Sequence, residues 1–405
     1  MKLDFFGVHA RTIGLYALLV LWCAIAFSLA LAEIATVVAL LFWVLWRFRE
    51  GIRAPRIDRA AVWLLAGYVL LCLLSLFWTE APKESYRGIF KVLKYAAIFW
   101  MSAEIFRENS ARKKFQTVFL VFYGILILDG FIQYYAGRDV LRGVILQEAS
   151  SGGRVSASFK SFGLLASYLV CTIPFLIALG WAYYCSGRKR WYAWTIGFMA
   201  AAACLLLFWT RSRGAWLALI AGGILWLFWS RKWKWLLGLG ILLAGLYFVL
   251  PRSMIIHQNA EGQEQSIVER YYLWDRALNV IKAKPWTGTG INSYVKAHIR
   301  YDQTKNWRVR DYYAHNGYLQ AAAETGIPSV VFLLAFLGLI FYRGLTSGKP
   351  GDKDDGLLLQ RSLLLGLANF LVLTVVDTVF HNPQAVTVFW YLLGLQAAYQ
   401  KTAPS

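Results

Sequence analysis

The sequence predicts an all-α polytopic membrane protein, and its composition and hydropathy pattern carry that prediction. Hydrophobic residues make up 59% of the 405 residues and charged residues only 16%, whereas soluble domains carry about 25% charged residues. Apolar runs close to the roughly 20 residues that cross a bilayer recur along the chain. Basic or turn-forming residues bound these runs. We therefore expect residues 1–405 to form a single integral membrane domain.

Apolar runs of this kind occur twelve times along the chain. The predicted spans are residues 12–29, 31–47, 60–78, 88–106, 115–136, 162–184, 191–209, 213–230, 234–250, 319–342, 357–380 and 384–400. Residues 12–47 leave room either for two short spans or for one span and a re-entrant segment. The first apolar run leads directly into the second without a small-residue cleavage site, so no cleavable signal peptide is predicted.

The Lys and Arg residues of the short loops orient the chain. A cytoplasmic N-terminus places four basic loops in the cytoplasm, namely 47–59, 107–114, 188–190 and 231–234. Two large outer loops then remain, 137–161 and 251–318, and the second is expected to carry surface helices and the catalytic region. Both outer loops are also basic, which suits anionic partners such as lipid-linked phosphates or pyrophosphates. A basic loop that is merely solvated is the alternative.

A tight turn between the seventh and eighth predicted spans carries Arg211 and Arg213. Because almost no linker separates these spans, both arginines must lie at the membrane surface or in a cavity, where an arginine needs an anionic partner. Guanidinium groups bind phosphate oxygens through two parallel hydrogen bonds. Both residues are therefore candidate phosphate ligands, and the alternative is that they extend to lipid headgroups as ordinary anchors.

The second large loop contains a predicted surface helix over Gln265–Ala283. Apolar residues recur in it at spacings of three and four: Ile267, Tyr271, Trp274, Leu278 and Ile281. Arg270 shares a face with Trp274, and the turn residues Pro285, Gly288 and Gly290 end the helix. Such a helix can hold Arg270 over a cavity between the spans. A solvated surface arginine is the alternative.

Other basic residues extend the candidate anion site. Arg87, Lys91 and Lys94 repeat at spacings of four and three, so they form one stripe that descends into the fourth span. A phosphate site and simple extension to the headgroups explain Arg87 and Lys91 about equally well. Arg142 is a further candidate ligand because of its charge and its place in the first outer loop.

His315 closes the second large loop and opens the run His315, Asn316, Gly317, Tyr318, Leu319 and Gln320. The positive end of the following helix and nearby arginines favour the neutral imidazole. A neutral imidazole can accept the proton of a hydroxyl nucleophile, which makes His315 a candidate general base. The alternative is a structural histidine. The outer loops lack an Asp-x-Asp pair and the chain lacks a GxxxxGK[ST] run, so neither a metal, nor ATP, nor another cofactor is predicted.

Three motifs together resemble the O-antigen ligase and polymerase family of bacterial membrane glycosyltransferases. The first is Thr210–Trp216, with a T-x-S-R-G-A pattern. The second joins Arg270 and Trp274 to the turn at Pro285, Gly288 and Gly290, and the third is His315, Asn316, Leu319, Glu324 and Gly326. Together they cover roughly the C-terminal half of the chain, while the first five spans match only in kind.

The resemblance is greatest to O-antigen ligases, and it implies a GT-C-like fold and a specific reaction. Such enzymes transfer O-antigen polysaccharide from undecaprenyl pyrophosphate to a sugar hydroxyl of lipid A-core in lipopolysaccharide biosynthesis. They act on the periplasmic side of the Gram-negative inner membrane, without metal or ATP. By motif, His315 would be the catalytic base, and Arg213 and Arg270 would bind and stabilise the pyrophosphate. Arg142 and Arg211 are further candidate ligands because of their outer-side position and charge, and not because of the resemblance.

Other functions remain open from the sequence. An O-antigen polymerase uses the same donor but extends another lipid-linked glycan, and the two are poorly separated by sequence. A lipid-linked glycan flippase or exporter would use the arginines only to guide an anionic headgroup. A protein O-oligosaccharyltransferase is a third alternative. Each of these functions involves membrane lipids, and none implies a nucleic acid partner.

Overall fold

The computed structural model describes residues 2–50, 58–147, 153–187, 190–238, 240, 265–302, 312–348 and 354–400. Within these ranges the chain is mainly helical. The helices are α1 (Lys2–Phe27), α2 (Leu29–Glu50), α3 (Arg59–Leu74), α4 (Pro82–Ile105), α5 (Asn109–Ala136), α6 (Phe162–Cys185), α7 (Arg190–Thr210), α8 (Arg213–Trp229), α9 (Gln265–Ala283), α10 (Tyr294–Ala297), α11 (Gly317–Thr346), α12 (Asp355–Val376) and α13 (Pro383–Tyr399). Two isolated β-bridges, Arg138 with Ile145 and Gln147 with Arg154, shape the loop after α5.

Eight helical segments in the described ranges are long and apolar enough to cross a membrane. They lie in α1, α2, α3 with its 3-10 extension, α5, α6, α7, α11 and α12, and α8 is a shorter apolar helix. The chain is therefore an all-helical, multi-pass membrane protein. The predicted total of twelve spans is not established, since α4 and α13 are not among these eight segments and most of the predicted span 234–250 lies outside the described residues.

Two helix boundaries differ from the hydropathy prediction. Residues 12–47 contain two separate helices that meet at Ser28, the first ending at Phe27, and each includes a segment long enough to cross a membrane. The predicted span 357–380 runs too far, because α12 ends at Val376 and Asp377 is extended, with φ −150° and ψ 161°. Apolar residues continue beyond this end in a short 3-10 helix, Val379–His381. Hydropathy alone cannot detect such a break.

Aromatic side chains from several helices pack in the centre of the bundle. Trp22 of α1 is fully buried, and its ring centroid lies 5.2 Å from that of Phe115 and 5.2 Å from that of Tyr391. Tyr168 of α6 lies 5.6 Å from the same indole. Large aromatic rings bury much apolar surface and stabilise one another in tilted and edge-to-face arrangements. This cluster joins α1, α5, α6 and α13 into one framework.

Helix α11 has a kink that a neighbouring loop completes. Gly326 has φ 79° and ψ 162°, which interrupts the helix one residue after Thr325. The loop that follows α9 pairs with the interruption: Thr289 N donates to Ala323 O at 3.0 Å and Gly290 N to Glu324 O at 2.8 Å. Polar backbone groups freed inside a membrane protein need such partners. The kink therefore fixes the loop against α11.

Replacement of Gly326 by alanine is expected to destabilise the protein. The positive φ costs a non-glycine residue about 1–3 kcal/mol, and a Cβ would collide with the carbonyl group of Trp286. Gly338 of the same helix is a matched control, because a Cβ there meets no atom within 4 Å. Thermal unfolding in detergent should show a lower Tm for Gly326→Ala and an equal or higher Tm for Gly338→Ala. Equal Tm values for the two variants would contradict the kink assignment.

A polar cluster around Glu80 attaches the same loop to the start of α4. The Glu80 carboxylate accepts hydrogen bonds from Lys284 Nζ at 2.6 Å and Tyr301 Oη at 2.6 Å, and Arg300 Nη1 lies 3.2 Å away. Burial favours the neutral carboxyl, but these donors and charges outweigh it and lower the pKa of Glu80 below its ordinary value. The hydrogen bond to Glu80 also raises the pKa of Lys284. The cluster thus stabilises the folded state when both groups are charged.

The contribution of Glu80 to stability is expected to depend on pH. Its pKa is lower in the folded state than the ordinary 4.5, so the stabilisation is present above pH 4.5 and is lost as pH falls through the folded pKa. Glu80→Gln should cost about 1–3 kcal/mol at neutral pH, and the gap to the wild type should close under acid. Thermal unfolding over a pH series measures this. Glu33→Gln, which breaks an exposed pair with Lys94, should cost only about 0.2–1 kcal/mol. A gap that stays constant as pH falls would contradict the assignment.

Candidate functional site

The C-terminal end of α12 is the place where two of the sequence motifs meet. A Cβ on Gly214, beside Arg213, would lie 3.1 Å from Val376 Cγ2. A Cβ on Gly317, two residues after His315, would lie 2.5 Å from Thr374 Cγ2. Glycine at both positions lets the first turns of α8 and α11 approach α12 closely. Arg213 and His315 are therefore brought to the same end of one helix.

His315 is held in an unusual backbone conformation. Its φ is 47°, in the left-handed region that non-glycine residues adopt at a cost of about 1–3 kcal/mol. Residues in this conformation cluster at functional sites. The next residue, Asn316, caps α11 and accepts from the backbone N–H groups of Tyr318 and Leu319 at 3.0 Å each. On the other side, Ala314 N donates to Gln320 Oε1 at 3.2 Å. These contacts fix the position from which the imidazole projects.

The imidazole of His315 faces a carboxylate. Its Nδ1 lies 3.5 Å from Asp377 Oδ1. The side chains remain 36% and 45% exposed, respectively, so a ligand has access to both. A carboxylate beside one ring nitrogen favours the proton on that nitrogen, which leaves Nε2 as the acceptor. The pair has the composition of a general base and the group that orients it.

Helix α9 brings a third motif to His315. Trp274 Nε1 lies 3.4 Å from the backbone oxygen of His315, to which it donates, and Arg270 precedes Trp274 by one turn on the same side of the helix. Leu273, Ala277 and Val280 form the buried face of α9. That face orients the helix so that the side bearing Arg270 and Trp274 is turned toward the His315 loop.

The predicted bounds of α9 are confirmed, but its predicted apolar stripe is not the face that packs on the protein. Tyr271 and Leu278 are 67% and 40% exposed, and the side chain of Ile267 lies outside the described residues. The interior face instead contains Arg276, which is buried and paired with Asp302. The packed face therefore combines the apolar residues Leu273, Ala277 and Val280 with one buried ion pair.

Arg154 joins the arginines at the end of α7. Val155 N donates to Trp209 O at 3.1 Å, which places the segment beside the Thr210–Arg213 turn. The guanidinium of Arg154 lies 4.7 Å from the ring centroid of Phe162. Its partial burial lowers the pKa of Arg154, and the charges of Arg211 and Arg213 lower it further. Three guanidinium groups therefore lie within electrostatic reach of one another, an arrangement that favours an anionic ligand.

Arg142 belongs to the same loop. Its Nη1 donates to Ser158 O at 3.0 Å, and its backbone N donates to Asp139 Oδ1 at 2.6 Å. Gln133 of α5 also holds this loop, because its Oε1 accepts from Ser156 N at 2.8 Å and from Ala157 N at 2.7 Å. Arg142 thus braces the segment that carries Arg154, and the residue as a whole is exposed.

Residues 198–334 match the family model described as O-antigen ligase. This range of the chain is therefore similar to the O-antigen ligase family, and it is called the matched region below. The matched range contains all three motifs, with Arg213, Arg270 and His315. Members of this family are membrane glycosyltransferase-like enzymes, which implies a lipid-linked glycan, a lipid acceptor and membrane lipids as partners. No curated protein is significantly similar in sequence to the chain.

Arg87 and Lys91 lie on α4, before the matched region, and Lys91 contacts that region. Lys91 Nζ donates to Asn292 Oδ1 at 3.2 Å, whereas Arg87 is exposed on the helix surface. Lys94, the third member of the predicted stripe, pairs with Glu33 at 2.5 Å. Lys91 therefore contacts the loop after α9, and the same loop contacts Glu324.

Asp377, Arg154 and His381 were not predicted as members of the candidate site. Two of them carried a signal, because Asp377 and His381 are ionisable residues in or beside an apolar span, where such residues usually serve a function. In the ranges that the structure describes, three or more His, Cys, Asp or Glu side chains do not gather in a metal-binding arrangement.

Proposed function

We propose that the chain is an O-antigen ligase. In this proposal it transfers O-antigen polysaccharide from undecaprenyl pyrophosphate to a sugar hydroxyl of lipid A-core, as an inverting glycosyltransferase that needs no metal. The site faces the periplasm from the inner membrane of a Gram-negative bacterium. The observation that carries the proposal is the convergence of His315 and Asp377 with Arg213 at one end of α12, beside the helix that bears Arg270.

The proposed first role belongs to His315. Its Nε2 accepts the proton of the acceptor hydroxyl while that oxygen forms a bond to the anomeric carbon of the donor. Asp377, 3.5 Å from Nδ1, stabilises the imidazolium that results. A positioned general base of this kind contributes about 10²–10⁴-fold to the rate.

The proposed second role belongs to the arginines. The bond from the anomeric carbon to the pyrophosphate oxygen breaks, and its electron pair leaves with the pyrophosphate. Negative charge therefore grows on the leaving group, and Arg213 and Arg270 stabilise it. Arg211 and Arg142 assist them from the adjacent loop, and Arg87 and Lys91 bind phosphate or lipid headgroups at the edge of the site. Preorganised donors at a developing oxyanion are worth about 3–4 kcal/mol each.

A comparison of acceptors tests the proposal. Purified protein in nanodiscs would receive undecaprenyl-pyrophosphate-linked polysaccharide with either lipid A-core or a second undecaprenyl-linked glycan. Growth of lipid A-core is the expected result. Growth of only the lipid-linked glycan would instead identify an O-antigen polymerase. Movement of labelled donor across proteoliposomes without transfer to either acceptor would identify a flippase or exporter.

A further inference from the structure

Glu324 is a buried carboxylate in the matched region. It is 3% exposed and accepts from Asn292 N at 2.7 Å, Gln320 Nε2 at 3.1 Å and Tyr294 N at 3.4 Å. His381 Nε2 lies 3.3 Å from the same carboxylate. A buried charge requires several donors of this kind. Glu324 therefore joins three points of the fold: the loop after α9, its own helix and the segment before α13.

Two of those points lead directly to His315. Gln320, whose amide nitrogen bonds Glu324, uses its oxygen to accept from Ala314 N at 3.2 Å, immediately before the left-handed His315. His381 follows Asp377 by four residues through the 3-10 helix Val379–His381. Glu324 is thus linked to the backbone beside His315 and to the segment that contains Asp377.

We propose that His381 and Glu324 are a positioning pair that sets His315 against Asp377. The proposal rests on the function proposed above. His381 is a positioning residue because it is less exposed than His315, at 14% against 36% of the side chain, and its Nε2 is turned to Glu324. The Tyr313 ring, 5.7 Å from His381 by centroids, packs against its imidazole.

The pair holds the His315 loop and the 377–381 segment together. The distance between these segments sets the position of His315 relative to Asp377. His315 occupies a backbone conformation that persists only where the surroundings over-determine it. Loss of the His381 contact leaves the 377–381 segment attached through fewer bonds, so Asp377 can move relative to the imidazole. A misplacement of about 1 Å in a catalytic group costs on the order of 10²-fold in rate.

Two substitutions at one position test the proposal. His381→Leu removes the donor to Glu324, whereas His381→Gln keeps an N–H that can reach it. Glycan transfer by purified protein in nanodiscs would be measured for both, with donor concentration varied. His381→Leu is expected to lower kcat by about 10²-fold and to leave KM for the donor nearly unchanged. His381→Gln is expected to recover most of that kcat.

A double-mutant cycle with Asp377→Asn separates positioning from general loss of stability. If His381 acts through Asp377, the double variant is expected to be little slower than the slower single variant, because coupled residues are non-additive. Thermal unfolding confirms that each variant is folded. Independent, multiplicative losses, or full activity of His381→Leu, would overturn the proposal. A wild-type protein that transfers no glycan would instead refute the proposed function.

Discussion

His315→Ala is expected to reduce glycan transfer by about 10²–10⁴-fold, because the variant lacks the group that accepts the proton of the acceptor hydroxyl. The loss should appear in kcat, and KM for the donor should change little, since the imidazole is not part of the proposed pyrophosphate site. Steady-state kinetics of purified protein in nanodiscs measure both. The substitution removes the imidazole from a residue with a left-handed backbone and adds no volume, so the fold should be retained.

His9→Ala is the matched control for this experiment. His9 lies near the start of α1. Arg11, two residues later, pairs with Glu108 at the beginning of α5. This end of the bundle is away from Asp377 at the end of α12. The control variant should transfer glycan at the wild-type rate. If folded His315→Ala also retains the wild-type rate, His315 is not the base, and the motif has a structural role.

Arg213→Gln is expected to lower kcat by about 10²–10³-fold, corresponding to about 3–4 kcal/mol of lost stabilisation of the leaving pyrophosphate. Arg213→Lys should recover only part of the activity, because an ammonium cannot form two parallel hydrogen bonds to a phosphate. The same kinetics should therefore rank the proteins as wild type, then lysine, then glutamine. Higher ionic strength should weaken donor binding in all three.

Arg190→Gln provides the control for the loss of one positive charge. Arg190 begins α7, and that helix of 21 residues ends beside Arg213, so the two arginines are separated by roughly 30 Å at 1.5 Å per residue. The control should be close to wild type. An equal loss in Arg190→Gln and Arg213→Gln would show that net charge matters and that a specific leaving-group contact does not.

The helices of the fold were largely predictable because hydropathy reports them directly. Helix α6 runs from Phe162 to Cys185, against a predicted 162–184, and α9 has the predicted bounds Gln265–Ala283. The motifs at Arg213, Arg270 and His315 were also visible, because their residue types and order are specific. The structure adds that these motifs lie around one helix end, which their positions in the sequence do not reveal.

The remaining parts of the site depend on tertiary contacts. Hydropathy carried the predicted span through Asp377, although that residue leaves the helix and faces His315. The partners of Glu324 come from the loop after α9, from its own helix and from the segment before α13, and no local pattern joins them. Gly326 was recognised as a motif residue, but its kink becomes understandable only with the carbonyl of Trp286 beside it.

The most direct test of the proposed ligase reaction measures both of its products. Purified protein in nanodiscs would be mixed with labelled undecaprenyl-pyrophosphate-linked polysaccharide and lipid A-core. Polysaccharide-bearing lipid A-core and free undecaprenyl pyrophosphate are expected in equal amounts, with release dependent on the acceptor and lost in His315→Ala. Folded wild-type protein that binds the donor but forms neither product would contradict the proposed reaction, as would release of pyrophosphate at the same rate without an acceptor.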